Sequence, residues 1–189
     1  MNLDYAKQWA EALGNDTNAY AELYAPDGEF AMEQHMVDDH MDDTITERAT
    51  IHERVGGLAN DDPDNGLGRH TFTVTEYIGD ERYGLIHWDY AVEGASHYRG
   101  IPADGRRLET KGSTFLLFNP EGKIVLESTH FNDNPVFQAL GLPILTPHYW
   151  DADFDPATLV AGSPAQTKPI PPSTASRARG ARRGANTYS

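Results

Sequence analysis

Residues 83–93 read Tyr-Gly-Leu-Ile-His-Trp-Asp-Tyr-Ala-Val-Glu, and this stretch decides the predicted fold. Its side chains alternate: Trp88 and Tyr90 point to one side, while His87 and Asp89 point to the other. A period of two is typical of a β-strand. A strand that carries imidazole and carboxylate groups along one face needs that face to be wet or to line a pocket, because unpaired buried charge is costly.

Two further strands follow this stretch. Residues 99–106 contain glycine and proline and predict a turn, after which residues 108–118 return as a strand. The other predicted elements are strands at residues 29–37, 71–78 and 123–131, and helices at residues 3–13, 18–24, 44–55 and 135–140. The third helix is predicted from a capping box, Thr44 to Glu47. The fold class is therefore α+β, with a cone-shaped, curved antiparallel or mixed sheet packed against N-terminal helices.

The composition narrows the possible partners. The formal net charge is −14, and residues 163–189 contain five basic residues and no acidic one, so the remainder is more acidic still. Such a body repels phosphate backbones, which argues against nucleic acid as the main ligand. The absence of cysteine excludes disulfides and thiolate metal sites and fits a cytoplasmic location. The N-terminal residues show an amphipathic pattern rather than that of a signal peptide, and no apolar run approaches the length of a membrane span, so no membrane insertion is expected.

The chain divides into one folded domain and two C-terminal segments. Residues 1–145 hold every predicted helix and strand. Residues 146–162 form a proline-containing extension whose aromatic side chains are candidates for docking on the body. Residues 163–189 are predicted to be a disordered tail rich in proline and arginine.

Several local patterns resemble the nuclear transport factor 2-like superfamily, in particular its SnoaL-like polyketide cyclase branch. The matching segments are Tyr-Ala-Pro-Asp at residues 24–27 with Phe30, Trp88 in the central strand, Arg-Gly-Ile-Pro-Ala-Asp-Gly-Arg-Arg at 99–107, Gly-Lys-Ile-Val at 122–125 and Phe-Gln-Ala-Leu-Gly-Leu-Pro at 137–143. The resemblance covers about residues 3–143. It implies an open cone with a largely apolar pocket, a homodimer, and acid–base chemistry without a metal or another cofactor.

The resemblance also implies where catalytic residues should lie, and the chain departs from that pattern. The aspartate that the branch carries six residues after the lysine of its Gly-Lys-Ile strand is Thr129 in this chain. Epoxide hydrolases of this superfamily have an Arg and an Asp where this chain has Ala95 and His97, and a Tyr and an Asn where it has Phe30 and Met32. Hydrolysis of an epoxide by that machinery is therefore disfavoured.

Histidine and aspartate residues on the predicted strands are candidates for acid–base catalysis. If His97 faces the pocket, strand parity places Asp89 and His87 on the same face. An aspartate beside a histidine fixes the tautomer of the imidazole and raises its basicity, and His35 could approach from the first strand. The three predicted catalytic residues are thus Asp89, His97 and His35. The alternative is that this face is solvated and that Trp88 and its neighbours form the core or a dimer interface.

Four side chains are predicted to contact a substrate: Tyr24, His87, Trp88 and Thr129. Zinc bound by His87, Asp89 and His35 is disfavoured because this fold rarely uses a metal, and a hard cation in the acidic loop at residues 38–43 is disfavoured because the loop lacks the glycine and spacing of a calcium loop, so no metal is expected. The chain is predicted to be a cofactor-independent lyase, isomerase or cyclase that acts on a small hydrophobic ring compound such as a polyketide, terpenoid or steroid. A non-catalytic module of the same fold that binds a small ligand or a protein is the alternative.

Overall fold

A computed structural model of the protein describes residues 1–36, 44–60 and 63–142. The predicted C-terminal extension, the tail and the acidic loop at residues 38–43 lie outside the described residues. The helices are α1 (Leu3–Asn15), α2 (Thr17–Ala21), α3 (Arg48–Val55) and α4 (Asn134–Ala139), with 3₁₀ turns at Gly56–Leu58 and Pro63–Asn65. The strands are β1 (Ala31–Met36), β2 (Arg69–Gly79), β3 (Tyr83–Glu93), β4 (His97–Tyr98), β5 (Ile101–Pro102), β6 (Leu108–Phe118) and β7 (Ile124–Phe131).

Five strands form one mixed sheet in the order β1-β7-β6-β3-β2. Strands β2, β3, β6 and β7 pair antiparallel, and β1 joins the edge parallel to β7. Strands β4 and β5 form a separate small hairpin between β3 and β6. The predicted α+β class with a mixed sheet is confirmed.

One face of the sheet is apolar and faces the helices. Along β3 the alternate residues Ile86, Trp88, Tyr90 and Val92 are buried. Ile86 lies opposite Thr114 on β6, and Thr114 lies opposite Thr129 on β7, so these positions share one face. We call this the inner face and the opposite one the outer face.

Helix α1 covers the inner face with a stripe of buried side chains at helical spacing, among them Ala6, Trp9, Ala10 and Leu13. The Asn2 side chain accepts a hydrogen bond from the Tyr5 backbone N–H and caps the helix start. Among the described residues no helix has both the length and the apolar character that a membrane span requires.

The third helix begins later than the capping box predicts. Helix α3 starts at Arg48, and Glu47 precedes it without a side-chain cap. Ile45 exchanges backbone hydrogen bonds with Met32 on β1, at N···O distances of 2.9 and 3.0 Å. Because Ile45 is held extended against β1, Thr44 cannot open a helix, and the predicted start is wrong.

The indole of Trp88 lies directly over Gly112 of the neighbouring strand. A Cβ at Gly112 would come within 2.3 Å of two Trp88 ring atoms and 2.8 Å of the His130 carbonyl oxygen. Only a glycine leaves room for the ring at this point. The ring therefore lies flat on the inner face, where it forms part of the wall of a cavity.

Candidate functional site

A cavity of about 250 Å³ lies between the inner face and the helices. An apolar cavity of about 150 Å³ is large enough for benzene, so this one has room for a larger ring compound. The aromatic side chains that line it include Phe72, Trp88, Tyr90 and Phe131 from the sheet and Trp9 and Tyr20 from the helices. Apolar walls with a few placed polar groups are the usual composition of a small-molecule site.

A carboxyl group, Glu127, lies at the helix-covered end of this cavity with only 1 % of its surface exposed. Four donors converge on its two oxygens. Tyr24 donates at 2.6 Å and Trp9 Nε1 at 3.1 Å to Oε2, Thr129 donates at 3.0 Å to Oε1, and Tyr20 lies 3.0 Å from both oxygens. An ionised carboxylate has about four lone-pair sites, so these donors match its capacity.

Burial raises the pKa of Glu127, and the hydrogen bonds from Tyr24, Trp9, Tyr20 and Thr129 act against that rise. Burial also raises the pKa of the Tyr20 and Tyr24 phenols well above the ordinary value. Both phenols therefore stay protonated and remain available as donors. A carboxyl group whose pKa is raised above its ordinary value is suited to both giving and taking a proton.

A chain of hydrogen bonds links the middle of the cavity wall to this carboxyl group. Trp88 Nε1 donates to Thr114 Oγ1 at 3.0 Å, and the hydroxyls of Thr114 and Thr129 lie 2.8 Å apart. The Thr129 hydrogen is donated to Glu127, so Thr129 accepts from Thr114, whose hydroxyl in turn accepts from the Trp88 N–H. All the hydrogens along this chain therefore run toward Glu127.

A second polar cluster lies on strands β2 and β3. His70 Nδ1 is 2.7 Å from the Tyr90 hydroxyl, and His70 Nε2 is 3.0 Å from the Leu67 carbonyl oxygen. His70 and Tyr90 are both buried and both line the cavity. Burial lowers the pKa of His70, while the Leu67 carbonyl acts in the opposite direction.

A third cluster joins the small hairpin to helix α4. Asp133 has no exposed side-chain surface; it accepts a hydrogen bond from the Tyr98 hydroxyl at 2.8 Å and lies 2.8 Å from Arg99 Nε. The Arg99 guanidinium lies 5.9 Å and 5.7 Å from the ring centroids of Tyr98 and Phe131, within cation–π range. Asp133 precedes α4 but makes no side-chain cap bond to the helix. Its carboxyl group instead contacts Tyr98 and Arg99, which line the cavity.

Two of the four predicted substrate-contacting residues lie at the cavity, and a third lies behind its wall. Trp88 and Thr129 line it. Tyr24 is fully buried behind it and donates to Glu127. Their role in substrate binding stays a prediction.

The expectation that Asp89 and His87 face the pocket is wrong in its geometry. Their neighbours Trp88 and Tyr90 take the inner face, so alternation sends both residues to the outer face. Asp89 there pairs with Lys111 at 3.1 Å, and its side chain is 47 % exposed. A solvated ion pair of this kind contributes at most about 1 kcal/mol.

His97 and His35 also lie away from the cavity lining. His97 is exposed on the small hairpin, with Nδ1 3.2 Å from the Ser96 hydroxyl. His35 on β1 is 46 % exposed and stacks on His130, with ring centroids 4.5 Å apart. The structure does not bring Asp89, His97 and His35 together, so their proposed joint role in catalysis stays an untested prediction.

A zinc site shared by His35 and His87 has no support in the geometry. The two residues lie on strands separated by two others, so three strand spacings of about 4.8 Å, roughly 14 Å in all, divide them. Across residues 1–36, 44–60 and 63–142, no three His, Asp or Glu side chains are grouped as metal ligands would be.

Sequence reasoning missed Glu127, His70 and the participation of Tyr90. A signal for Glu127 was available, because it lies two residues before Thr129 and so shares the face that Thr129 was expected to occupy. Two tyrosines one helical turn apart, at positions 20 and 24, supplied matching donors. His70 has no comparable sequence signal, because Leu67, which fixes its ring, lies in a loop.

No protein-family model and no curated protein matches the chain. Among solved structures, AclR from Streptomyces galilaeus, assigned as a hydroxylase, is 17 % identical with a TM-score of 0.57, covering 76 % of this chain and 87 % of its own. A ketosteroid isomerase-like protein from Catenulispora acidiphila, solved with trimethylamine, is 19 % identical (TM-score 0.56; 76 % and 96 % covered). A SnoaL-like protein from Shewanella putrefaciens, assigned as a polyketide cyclase, is 13 % identical (TM-score 0.57; 75 % and 87 % covered). At these identities the similarity shows the fold alone, and the chain has the fold of SnoaL-like polyketide cyclases and ketosteroid isomerase-like proteins.

Proposed function

We propose that the protein is a cofactor-independent lyase, isomerase or cyclase that moves a proton on a hydrophobic ring compound. The observation that carries the proposal is Glu127, a buried carboxyl group with a raised pKa at one end of an aromatic cavity. The ring of the substrate would lie against Trp88 and Phe72, with the carbon that loses or gains a proton beside Glu127. Proton transfer by a positioned side chain contributes about 10²- to 10⁴-fold to the rate.

The neighbouring proteins support the substrate class. Proteins of this fold include one assigned as a polyketide cyclase and one described as ketosteroid isomerase-like. Both names refer to keto compounds, and in such compounds the carbon next to a carbonyl is the one that most readily loses a proton. A single carboxyl group in an apolar pocket is suited to that step, because the dry surroundings keep it a stronger base than in water.

Solvent deuterium exchange tests the proposal without knowledge of the product. The purified chain would be incubated in D₂O with a Δ5-3-ketosteroid, a ring epoxide and an aromatic polyketide ester, and mass spectrometry would follow both deuterium uptake and conversion. We expect uptake on at least one carbonyl substrate. Glu127→Gln should reduce its rate by about 100-fold or more, whereas the matched change Glu109→Gln, at an exposed site on β6, should leave the rate unchanged.

The same assay separates this proposal from the sequence-based one. Asp89→Asn and His97→Gln should keep the wild-type rate if Glu127 carries the proton. If these two variants lose activity and Glu127→Gln does not, the predicted Asp89 and His97 pair carries the proton instead. Binding of the probes without exchange or conversion would favour the alternative, a non-catalytic module for apolar ligands.

We also propose that the protein is a homodimer formed through the outer face of the sheet. Ile78, Leu85 and Phe115 form a continuous row there, since Ile78 pairs with Leu85 and Leu85 with Phe115. Ile78 is 50 % exposed and Phe115 is 36 % exposed. A row of exposed apolar side chains on a sheet face is typical of an interface. Phe115→Glu should yield monomers in sedimentation velocity, whereas Leu3→Glu, on α1, should not.

A further inference from the structure

We propose that Tyr90 and His70 form a recognition site for a hydroxyl group, in which Tyr90 Oη accepts a hydrogen bond from an O–H group of the ligand. The ligand class is a hydroxylated fused-ring compound, such as a phenol, enol or ring alcohol. The inference deepens the proposed function because it names a group that the substrate carries. It uses the ring-binding cavity but does not require Glu127 to be catalytic.

The tautomer of His70 follows from its two contacts. The Leu67 carbonyl oxygen can only accept, so the His70 nitrogen that lies 3.0 Å from it, Nε2, carries a hydrogen. Burial lowers the pKa of His70, so the ring is neutral at neutral pH and its other nitrogen, Nδ1, is an acceptor. The Tyr90 hydroxyl, 2.7 Å from Nδ1, must therefore donate to it.

This bond determines that the Tyr90 hydroxyl can only accept a hydrogen bond from a ligand in the cavity. A phenol has one hydrogen, and that hydrogen is used by His70, so Tyr90 Oη can offer only its lone pairs to a ligand. The neighbouring Tyr98 hydroxyl is committed in the same way, because it donates to Asp133. A ligand atom placed against Tyr90 must therefore be a donor, and a carbonyl or ether oxygen there would meet another acceptor.

The position of Tyr90 places this hydroxyl group far from Glu127. Glu127 lies opposite Leu116 on β6, which in turn lies opposite Gly84 on β3. Tyr90 lies six positions beyond Gly84 on that strand, so the backbone positions of the two residues are offset along the strands by roughly 20 Å at about 3.3 Å per residue. The two polar groups thus lie at opposite ends of the cavity wall, with the Trp88 and Phe72 rings between them.

This arrangement of polar and aromatic groups fits an elongated ligand. Its apolar rings would lie on the aromatic middle of the cavity, its hydroxyl group would contact Tyr90, and its reacting carbon would lie near Glu127. Ring packing within the wall keeps Tyr90 in position independently of its hydroxyl group, since the Tyr90 and Phe72 ring centroids are 5.0 Å apart. Tyr90→Phe therefore removes the acceptor oxygen and preserves the shape of the wall.

Three probes of nearly equal size test the proposal: 2-naphthol, which can donate, 2-methoxynaphthalene, which can only accept, and 2-methylnaphthalene, which can do neither. Equilibrium dialysis against the full chain at pH 8 gives the dissociation constants. We expect the wild-type protein to bind 2-naphthol about 10-fold more tightly than 2-methoxynaphthalene. Tyr90→Phe should abolish this preference and leave the affinity for 2-methylnaphthalene within 2-fold of wild type.

A second variant tests whether His70 makes the Tyr90 hydroxyl an acceptor toward the ligand. His70→Leu frees the hydrogen of Tyr90, which can then donate into the cavity, so the preference should reverse toward 2-methoxynaphthalene. If His70→Leu does not fold, the ¹⁵N shifts of His70 in the wild-type protein provide the check: they should show a hydrogen on Nε2 and none on Nδ1.

The proposal is overturned if the wild-type protein does not prefer 2-naphthol, if Tyr90→Phe keeps the preference, or if none of the probes binds at millimolar concentration. A His70 ring protonated at Nδ1 would overturn it as well. Since these readouts measure binding only, they are independent of the deuterium exchange measured with Glu127→Gln. Each proposal can therefore fail while the other stands.

Discussion

Tyr24→Phe tests whether the hydrogen bonds to Glu127 hold the helices on the sheet. Tyr24 has no exposed surface, and its hydroxyl donates to Glu127 Oε2 at 2.6 Å. The substitution keeps the ring, which packs against Phe30 with centroids 5.0 Å apart. It removes one of four donors to a buried carboxyl group and creates little empty space.

The magnitude follows from the charge on the acceptor. A hydrogen bond to a charged group contributes about 1.5–3 kcal/mol to stability, and one between neutral groups about 0.5–1.5 kcal/mol. We therefore expect Tyr24→Phe to lower the free energy of unfolding by about 2 kcal/mol when Glu127 is ionised. At pH 4 the carboxyl group is neutral in the folded state, because its pKa is raised, and the loss should fall to about 1 kcal/mol.

Tyr5→Phe is the matched control. The Tyr5 hydroxyl is buried, and among the described residues it has no hydrogen-bond partner. Its ring packs edge-on against Phe118 at a centroid distance of 5.2 Å, a contact that phenylalanine keeps. Removal of an unsatisfied buried hydroxyl costs nothing and can stabilise the protein, so Tyr5→Phe should be neutral or stabilising.

Urea unfolding followed by tryptophan fluorescence measures both variants. With a denaturant slope of about 2 kcal/mol per molar, a loss of about 2 kcal/mol moves the midpoint down by about 1 M for Tyr24→Phe. The Tyr5→Phe midpoint should stay unchanged or rise. Equal shifts for the two variants, or no shift for Tyr24→Phe, would show that Tyr24 acts through its ring alone and would refute the role given to the hydrogen bond.

Three further outcomes are expected. Gly112→Ala should destabilise the fold by about 2 kcal/mol or more in urea unfolding and change the tryptophan fluorescence, because its Cβ overlaps the Trp88 ring. Lys111→Ala should change the unfolding free energy by less than about 1 kcal/mol, since its pair with Asp89 is solvated. Glu127 has a raised folded pKa, so its contribution is full below its unfolded value of 4.5 and is lost as the pH rises through the folded pKa; the stability of wild type relative to Glu127→Gln should therefore fall as the pH rises above 4.5.

The strands of the sheet were predictable because each carries a strong local pattern. The alternation at residues 83–93 and the two turns after it set three neighbouring antiparallel strands without any long-range information. The pairing of β1 with β7 could not be derived in this way. Their paired residues lie 95 positions apart in the chain (Ala31 pairs with Leu126), and no local pattern in either strand specifies so distant a partner.

The sequence leaves the facing of β3 open, because the parity count crosses a break. Counting from a pocket-facing His97 back to Asp89 treats the two residues as members of one continuous strand. The strand ends at Glu93, Gly94 has a φ of 78°, and His97 begins a separate hairpin. A left-handed glycine resets the direction of the following side chains, so alternation carries no information past it. The pairing of Trp88 with Gly112 identifies the inner face more directly, because a side chain at position 112 would overlap the Trp88 ring that lies on that face.

The two tyrosines beside Glu127 support an acid–base role over a purely structural one. When Glu127 is ionised, Tyr24 and Tyr20 both donate to it. When it is protonated, one donor has to turn away; Trp9 cannot, because an indole N–H has no lone pair to accept with. Tyr24 can, since its hydroxyl lies 3.0 Å from that of Tyr20: it then donates to Tyr20 and accepts from Glu127, while Tyr20 donates to the other carboxyl oxygen. The network therefore satisfies both protonation states without leaving a buried donor unpaired, which a proton-transferring carboxyl group needs and a permanently charged structural one does not.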